Sequence, residues 1–177
     1  MITPLVIFIL LMVAFVMASG YWMWLVKGLK RRRYRAFVQL LTYLDARCEV
    51  VGQLATLVEQ QVKSEQAFCQ KIKTLCLKTT QEKKKVRKRL SKEVELSKQI
   101  MELVKKIQTY VSLRTHTKIM QAEIHLADIE EKIASDMLLF NTLTERYNRE
   151  VELLAMRPFA AMLKFRKHRH YPVVREE

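Results

Sequence analysis

From Ile2 to Val26 the chain carries no Asp, Glu, Lys, Arg or His; beyond that, apolar positions recur three and four residues apart. Thr3, Ser19 and the polar atoms of Tyr21, Trp22 and Trp24 alone interrupt the first stretch. A bilayer core is crossed by about 20 apolar residues in helical form, so residues 1–26 are long enough to form a transmembrane anchor. Pro4 falls in the first turn, where a missing amide is tolerated. Small residues around Ala18 offer a signal-peptidase site. Cleaved signals, however, place basic residues ahead of an apolar core of about 7–15 residues, and here no Lys or Arg precedes a longer run.

The seam that follows is Leu41, Leu44, Cys48, Val51, Ala55, Val58, Val62, Cys69, Ile72 and Cys76, widened by Leu40, Leu54, Leu57, Phe68 and Leu75. This spacing predicts one helix from the membrane to about Lys78, with a broad face for a bundle. Glu65 stands where an apolar residue is due. It is either a rim carboxylate paired with a Lys or a buried carboxylate that specifies register. Thr79 and Glu82 have capping-box spacing and predict a turn and a new helix, whose apolar positions are Val86, Leu90, Val94, Ile100, Leu103, Val104, Ile107 and Val111. A second break is expected near residues 114–117. In the last helix Ile119, Leu126, Ile133, Phe140, Tyr147 and Leu154 repeat every seven residues, accompanied by Ala122, Ile129 and Leu143. Pro158 ends or kinks it, leaving residues 157–177 as a basic amphipathic tail. The expected fold is all-α: an N-terminal transmembrane helix, a basic juxtamembrane segment over 27–36, and over 37–156 a long antiparallel three-to-four-helix bundle with coiled-coil-like packing.

Composition agrees, since three Gly and three Pro in 177 residues leave little punctuation for sheets or irregular loops. Charge adds sidedness. Tyr21, Trp22 and Trp24 suit the head-group level, and Lys27, Lys30, Arg31, Arg32, Arg33 and Arg35 follow at once. Their position places the N-terminus outside and the rest of the chain in the cytoplasm, with anionic head groups as partners. The net charge is +14, and much of it lies between Lys78 and Lys92, where Lys83, Lys84, Lys85, Arg87, Lys88 and Arg89 form the expected hairpin tip. If one helix leaves the membrane as far as Lys78, this tip is the remote end. The tail residues Arg157, Lys164, Arg166, Lys167, His168, Arg169 and His170 then come to lie beside it. Such a cationic end binds a protein partner, an anionic polymer or a second membrane, or it only solvates exposed faces and pairs with acids of the last helix such as Glu123, Asp128, Glu130 and Asp136.

Known reaction chemistry finds no foothold. There is no glycine loop for phosphate, no His-Glu-x-x-His and no Gly-flanked nucleophile. His168 and His170 are two potential ligands where a structural zinc site takes four. Cys48, Cys69 and Cys76 have neither metal spacing nor an even count, and they read as small apolar side chains in a reducing compartment. No cofactor, metal or catalysis is expected. Nucleic acid is disfavoured as a partner because no aromatic residue stands among the cations from Lys78 to Lys92 to stack on bases. A protein partner is expected, and self-association stays open.

The last helix also carries a motif. Phe140-Asn141 and Tyr147-Asn148 are aromatic-Asn pairs one heptad apart, preceded by Ile129-Glu130-Glu131-Lys132-Ile133-Ala134. Spacing alone makes Phe140 and Tyr147 bundle core, with Asn141 and Asn148 hydrogen-bonding across helices or to a backbone end; a ligand-binding role is the alternative. The pattern closely resembles the C-terminal half of LemA family proteins, in which an Ile-Ala step leads to two Tyr-Asn pairs. Upstream, Tyr110-Val111-Ser112-Leu113-Arg114 resembles the family's Tyr-Pro-x-Leu-Lys, with Val for Pro. Glu49-Val50-Val51-Gly52-Gln53-Leu54 resembles its Asp-Leu-Ile-Pro-Asn-Leu, with Gly52 for Pro, and Glu65 falls on the Glu of its His-Glu step. The family's Phe-Pro after the last helix is Leu154-Ala155 here, which marks a divergent member. The resemblance implies a single-pass membrane protein with a long antiparallel bundle and no established biochemical activity.

Overall fold

The computed structural model describes residues 2–81, 86–153, 157–168 and 170. The chain forms α1 (Ile2–Gln61), a single 3-10 turn (Lys63–Glu65), α2 (Gln66–Gln81), α3 (Val86–Thr109), α4 (Val111–Arg114), α5 (Thr117–Glu152) and α6 (Arg157–Met162). Among the described residues there is no strand. Two compact units are built from them, one of Met1–Val38 with Leu138–His170 and one of Gln39–Met137.

Within the second unit, the expected long helix is divided. α1 ends at Gln61, Val62 is extended at φ −131°, and Glu65 N–H closes a turn on the Val62 carbonyl at 3.1 Å. The chain reverses here, so that Glu59 of α1 accepts from Gln70 and Lys73 of α2 at 3.1 and 2.6 Å. No Gly or Pro marks the reversal, and the apolar period continues across it. Thr79 is not a cap either. It lies inside α2, where its hydroxyl donates to the Leu75 carbonyl at 2.7 Å. α3 then runs outward and α5 returns, giving the antiparallel four-helix arrangement in which short loops join neighbouring helices. The second break begins one turn earlier than expected, at the extended Tyr110, and closes with the His116 carbonyl accepting from Ile119 and Met120. α1 passes Gly52 without interruption.

This topology overturns the expected charge geography. Because α2 runs back along α1, its end and the start of α3 lie at the end of the unit where α1 enters, and the remote end is formed by Val62–Glu65 and residues 110–116. Lys83, Lys84 and Lys85 fall outside the described residues, while Arg87, Lys88 and Arg89 lie in the first turns of α3. The core follows the seams: Leu44, Val51, Leu54, Val58, Ile72, Leu103, Ile107, Ile119 and Ile133 are all buried. Leu96 joins them, whereas Val111 is 73% exposed, because α4 is too short to turn that face inward.

In the first unit, Leu5 to Met17 of α1 present their large apolar side chains outward, and α1 is the one described helix long and apolar enough to cross a membrane. From Trp22 onward the helix is covered by protein. Trp22, Val26, Tyr147, Val151 and Ala160 form a buried cluster, with Met23, Leu29 and Phe165 packed against it. The tail residues Ala160, Phe165 and His168 are therefore held within the unit that contains the apolar stretch.

Candidate functional site

The residues singled out in the sequence gather at three places. The first lies in the unit that contains the apolar stretch. Tyr21 and Trp24 point outward, 65% and 71% exposed, with their rings stacked at 6.1 Å. Trp22, expected beside them at head-group level, is only 5% exposed and donates its indole N–H to the Glu150 carbonyl at 3.2 Å. Residues one and two steps apart on a helix point about 100° and 200° apart, so the face that α5 and α6 cover takes Trp22 and leaves its neighbours out. Arg33 is set apart from its neighbours in the same way. Lys27, Lys30, Arg31, Arg32 and Arg35 are exposed, but Arg33 is half-buried, with its guanidinium carbon 5.9 Å from the centre of the Phe140 ring and 5.6 Å from that of Tyr147. Aromatic faces attract cations. Burial lowers the Arg33 pKa from its usual value, and its Nε has no hydrogen-bond partner.

Phe140 and Tyr147 thus serve as buried core and as the platform for Arg33. Asn148 holds the tail: its Nδ2 donates to the His168 carbonyl at 2.8 Å and its Oδ1 accepts the His168 N–H at 2.9 Å. Asn141 is half-buried on the same helix. The tail reaches this clamp through a helix-ending turn in which Phe165 N–H donates to the Ala160 carbonyl and Lys164 N–H to that of Ala161, with Lys164 at φ 55°. This 6→1 and 5→2 pairing is a Schellman cap, here with Lys where Gly is usual. The left-handed backbone is unfavourable for a side chain by roughly 1–2 kcal/mol, offset by the packing of Phe165 on Trp22, whose rings meet edge to face at 6.1 Å.

His168 lies against the Tyr147 ring at 5.3 Å between centroids. Burial, and then the cations Arg33 and Lys30, lower its pKa from the ordinary imidazole value. A base with a lowered folded-state pKa takes up its proton more readily when released, so docking is complete above the free imidazole pKa and weakens as pH falls below it. The protection factors of the Phe165 and His168 amides against exchange are expected to fall as the pH is lowered from about 7.5 to about 5.5, that is, across about one unit either side of an ordinary His pKa. The fall should vanish in His168→Gln; a variant that kept it would refute the assignment.

The second place is a buried ion network. Arg47 of α1 donates to Glu93 of α3 in a close ion pair, to Glu130 of α5 at 3.2 Å and to Ser97 at 3.1 Å. Burial pulls the Arg47 pKa down, but Glu130 and Glu93 outweigh it and hold the group charged. Glu130 was legible as a motif residue; Arg47 and Glu93 were missed. Their signal is that each occupies a seam: Arg47 is three residues after Leu44 and four before Val51, and Glu93 is three before Leu96 and seven before Ile100. Opposite charges on two apolar faces are a pairing cue. Beside them, the free thiols of Cys48 on α1 and Cys76 on α2 are buried.

The third place is the remote end, where Glu65 is both buried and paired with a Lys. It accepts from Lys106 Nζ at 2.7 Å and from the Tyr110 hydroxyl at 3.1 Å. The Lys106 hydrogen bond, with that of Tyr110, keeps its carboxyl below the usual range against the effect of burial. One carboxylate therefore ties together the two points at which the helices break. Among the described residues no group of three His, Cys, Asp or Glu side chains is placed to hold a metal ion.

No curated protein sequence matches the chain. The family model described as LemA family matches residues 36–177, which include Arg47, Glu65, Tyr110, Glu130, the aromatic-Asn pairs and the docked tail. The chain belongs to the LemA family.

Proposed function

We propose that the protein is a single-pass, non-catalytic scaffold of the cell membrane that holds a rigid helical body on the cytoplasmic side for a protein partner. The observation that carries this reading is the continuity of α1, one helix from Ile2 to Gln61, whose start is the apolar stretch and whose end is bundle core. A partner bound to the body is thereby kept at the bilayer. The interior ionisable groups fit a structural task, since Arg47 is tied to Glu93 and Glu65 to Lys106. Apolar side chains on the body offer a surface for the partner: Met120 and Ile124, one turn apart on α5, are 46% and 69% exposed. Tyr21 and Trp24 fix depth at the interface, and the exposed cations Lys27, Lys30, Arg31, Arg32 and Arg35 fix sidedness.

The test is made on the full chain in its native membrane. Protease added to sealed vesicles should digest the bundle only when the cytoplasmic face is outward; protection in that orientation would overturn the topology. A photo-cross-linker at Ile124 should capture a discrete partner that persists at about 1 M salt, where the Debye length falls to about 3 Å. Capture abolished by salt would instead favour attraction to an anionic polymer or lipid.

A further inference from the structure

Three devices hold α6 and the residues after it against α1. Ala160 and Phe165 pack on Trp22, the Schellman turn at Lys164 directs Phe165 into that contact, and Asn148 grips the His168 backbone from both sides. Together they decide which side of the tail stays free. Met162 is 73% exposed and Leu163 38%, and Lys164 and Arg166 are exposed as well. Lys167 is paired with Glu152.

The level at which this surface sits follows from α1. Its outward-facing apolar side chains run to Met17, and Trp22 is five residues further on, about 8 Å along the helix axis. Trp22 carries the tail; Tyr21 and Trp24, on the uncovered face at the same height, have the stacked amphipathic rings of a membrane-interface pair. The surroundings are cationic. From Lys27 to Arg35 there are six basic residues and no acid, and Arg33 faces aromatic rings and not a carboxylate. Apolar tips beside long basic side chains, at the height where a helix leaves the hydrocarbon, match the boundary between acyl chains and head groups.

We propose that the segment Arg157–His168 is a second contact with the bilayer that α1 crosses, with Met162 and Leu163 dipping into the acyl boundary and Lys164 and Arg166 on the phosphates of anionic lipids. The protein is then attached at two points, and the rotation of α1 about its own axis is set by the docked tail. The occupant is the lipid of the adjoining leaflet because Met162 and Leu163 are exposed on a segment packed against Trp22, close to the outward-facing apolar stretch of α1, and because anionic head groups complement the exposed cations. The inference rests on α1 spanning the membrane.

The experiment uses the full chain in nanodiscs of phosphatidylcholine, with or without phosphatidylglycerol. A spin label is placed through Met162→Cys, with Leu10→Cys as lipid reference and Met120→Cys as water reference; Cys48, Cys69 and Cys76 are buried. Accessibility to oxygen against a nickel chelate reports depth. With phosphatidylglycerol, the label at 162 should be shielded from nickel and approach the reference at 10. It should be less shielded in phosphatidylcholine alone, and Asn148→Ala should return it toward the reference at 120. A label at 162 as open to nickel as that at 120 would overturn the proposal, and so would equal shielding in both lipids or shielding that ignores Asn148→Ala. Nickel access at 10 would instead overturn the reading of α1 as a span, so the two failures are distinguishable.

Discussion

Arg47→Ala is expected to destabilise the bundle by about 3–5 kcal/mol, the range for removing one partner of a buried ion pair. Arg47 is 3% exposed and its guanidinium is the shared donor to α3 and α5. Without it, the buried Glu93 carboxylate loses the Arg47 charge, whereas Glu130 is exposed enough to be hydrated. The larger share of the loss is therefore expected at Glu93. In a chain of this size each kcal/mol lowers Tm by roughly 2–4 °C, so thermal unfolding should fall by roughly 10 °C. The pair variant Arg47→Met with Glu93→Leu decides the mechanism. It removes both charges and keeps volume, and it should recover most of the loss, as replacement of buried ion pairs by apolar residues often does. A pair variant as unstable as Arg47→Ala would show that the guanidinium acts by packing alone.

Tyr147→Ala is the second large effect, and it falls on the other unit. Tyr147 is 1% exposed, packs with Trp22, Val26, Val151 and Ala160, and supports both Arg33 and His168. Truncating a buried aromatic costs about 3–5 kcal/mol through lost burial and the cavity left behind. Here the loss has a local outlet, because the tail is held by packing that passes through this ring. Trypsin should cut at Arg166 and Lys167 much faster in the variant, while amide exchange in α3 is unchanged. Tyr147→Phe keeps the ring and should leave cleavage close to wild type. Equal cleavage in the alanine variant and wild type would mean that the Asn148 clamp and the Schellman turn suffice alone.

The elements that the sequence made legible are those whose signal is local. An uncharged stretch from Ile2 to Val26 reads as a helix fit for lipid wherever it is placed, and a heptad from Ile119 to Tyr147 lies on one side of one helix whatever packs there. Ile119, Leu126, Ile133, Phe140 and Tyr147 are all buried, in keeping with that period. The aromatic-Asn pairs were visible too, but only as a choice between core and ligand site. Contact with Arg33, more than a hundred residues upstream, and with the His168 backbone shows how the second pair is used.

What the period could not report is where a helix turns back. Apolar spacing continues through Val62 to Cys69, and no Gly or Pro interrupts it; the reversal is held by Glu65, whose partners Lys106 and Tyr110 arrive from forty or more residues away. Missing that turn puts the end of α2 and the start of α3 at the wrong end of the bundle. The same limit applies to side chains in sequence order. Tyr21, Trp22 and Trp24 look alike along the chain, and only the covering of one helical face by α5 and α6 separates the buried indole from the exposed pair. Helix formation and amphipathicity are fixed by neighbours within two turns, and the sequence determines them by itself. Chain reversal, ion pairing and the covering of a face depend on residues brought together by packing, and the tertiary structure alone decides those.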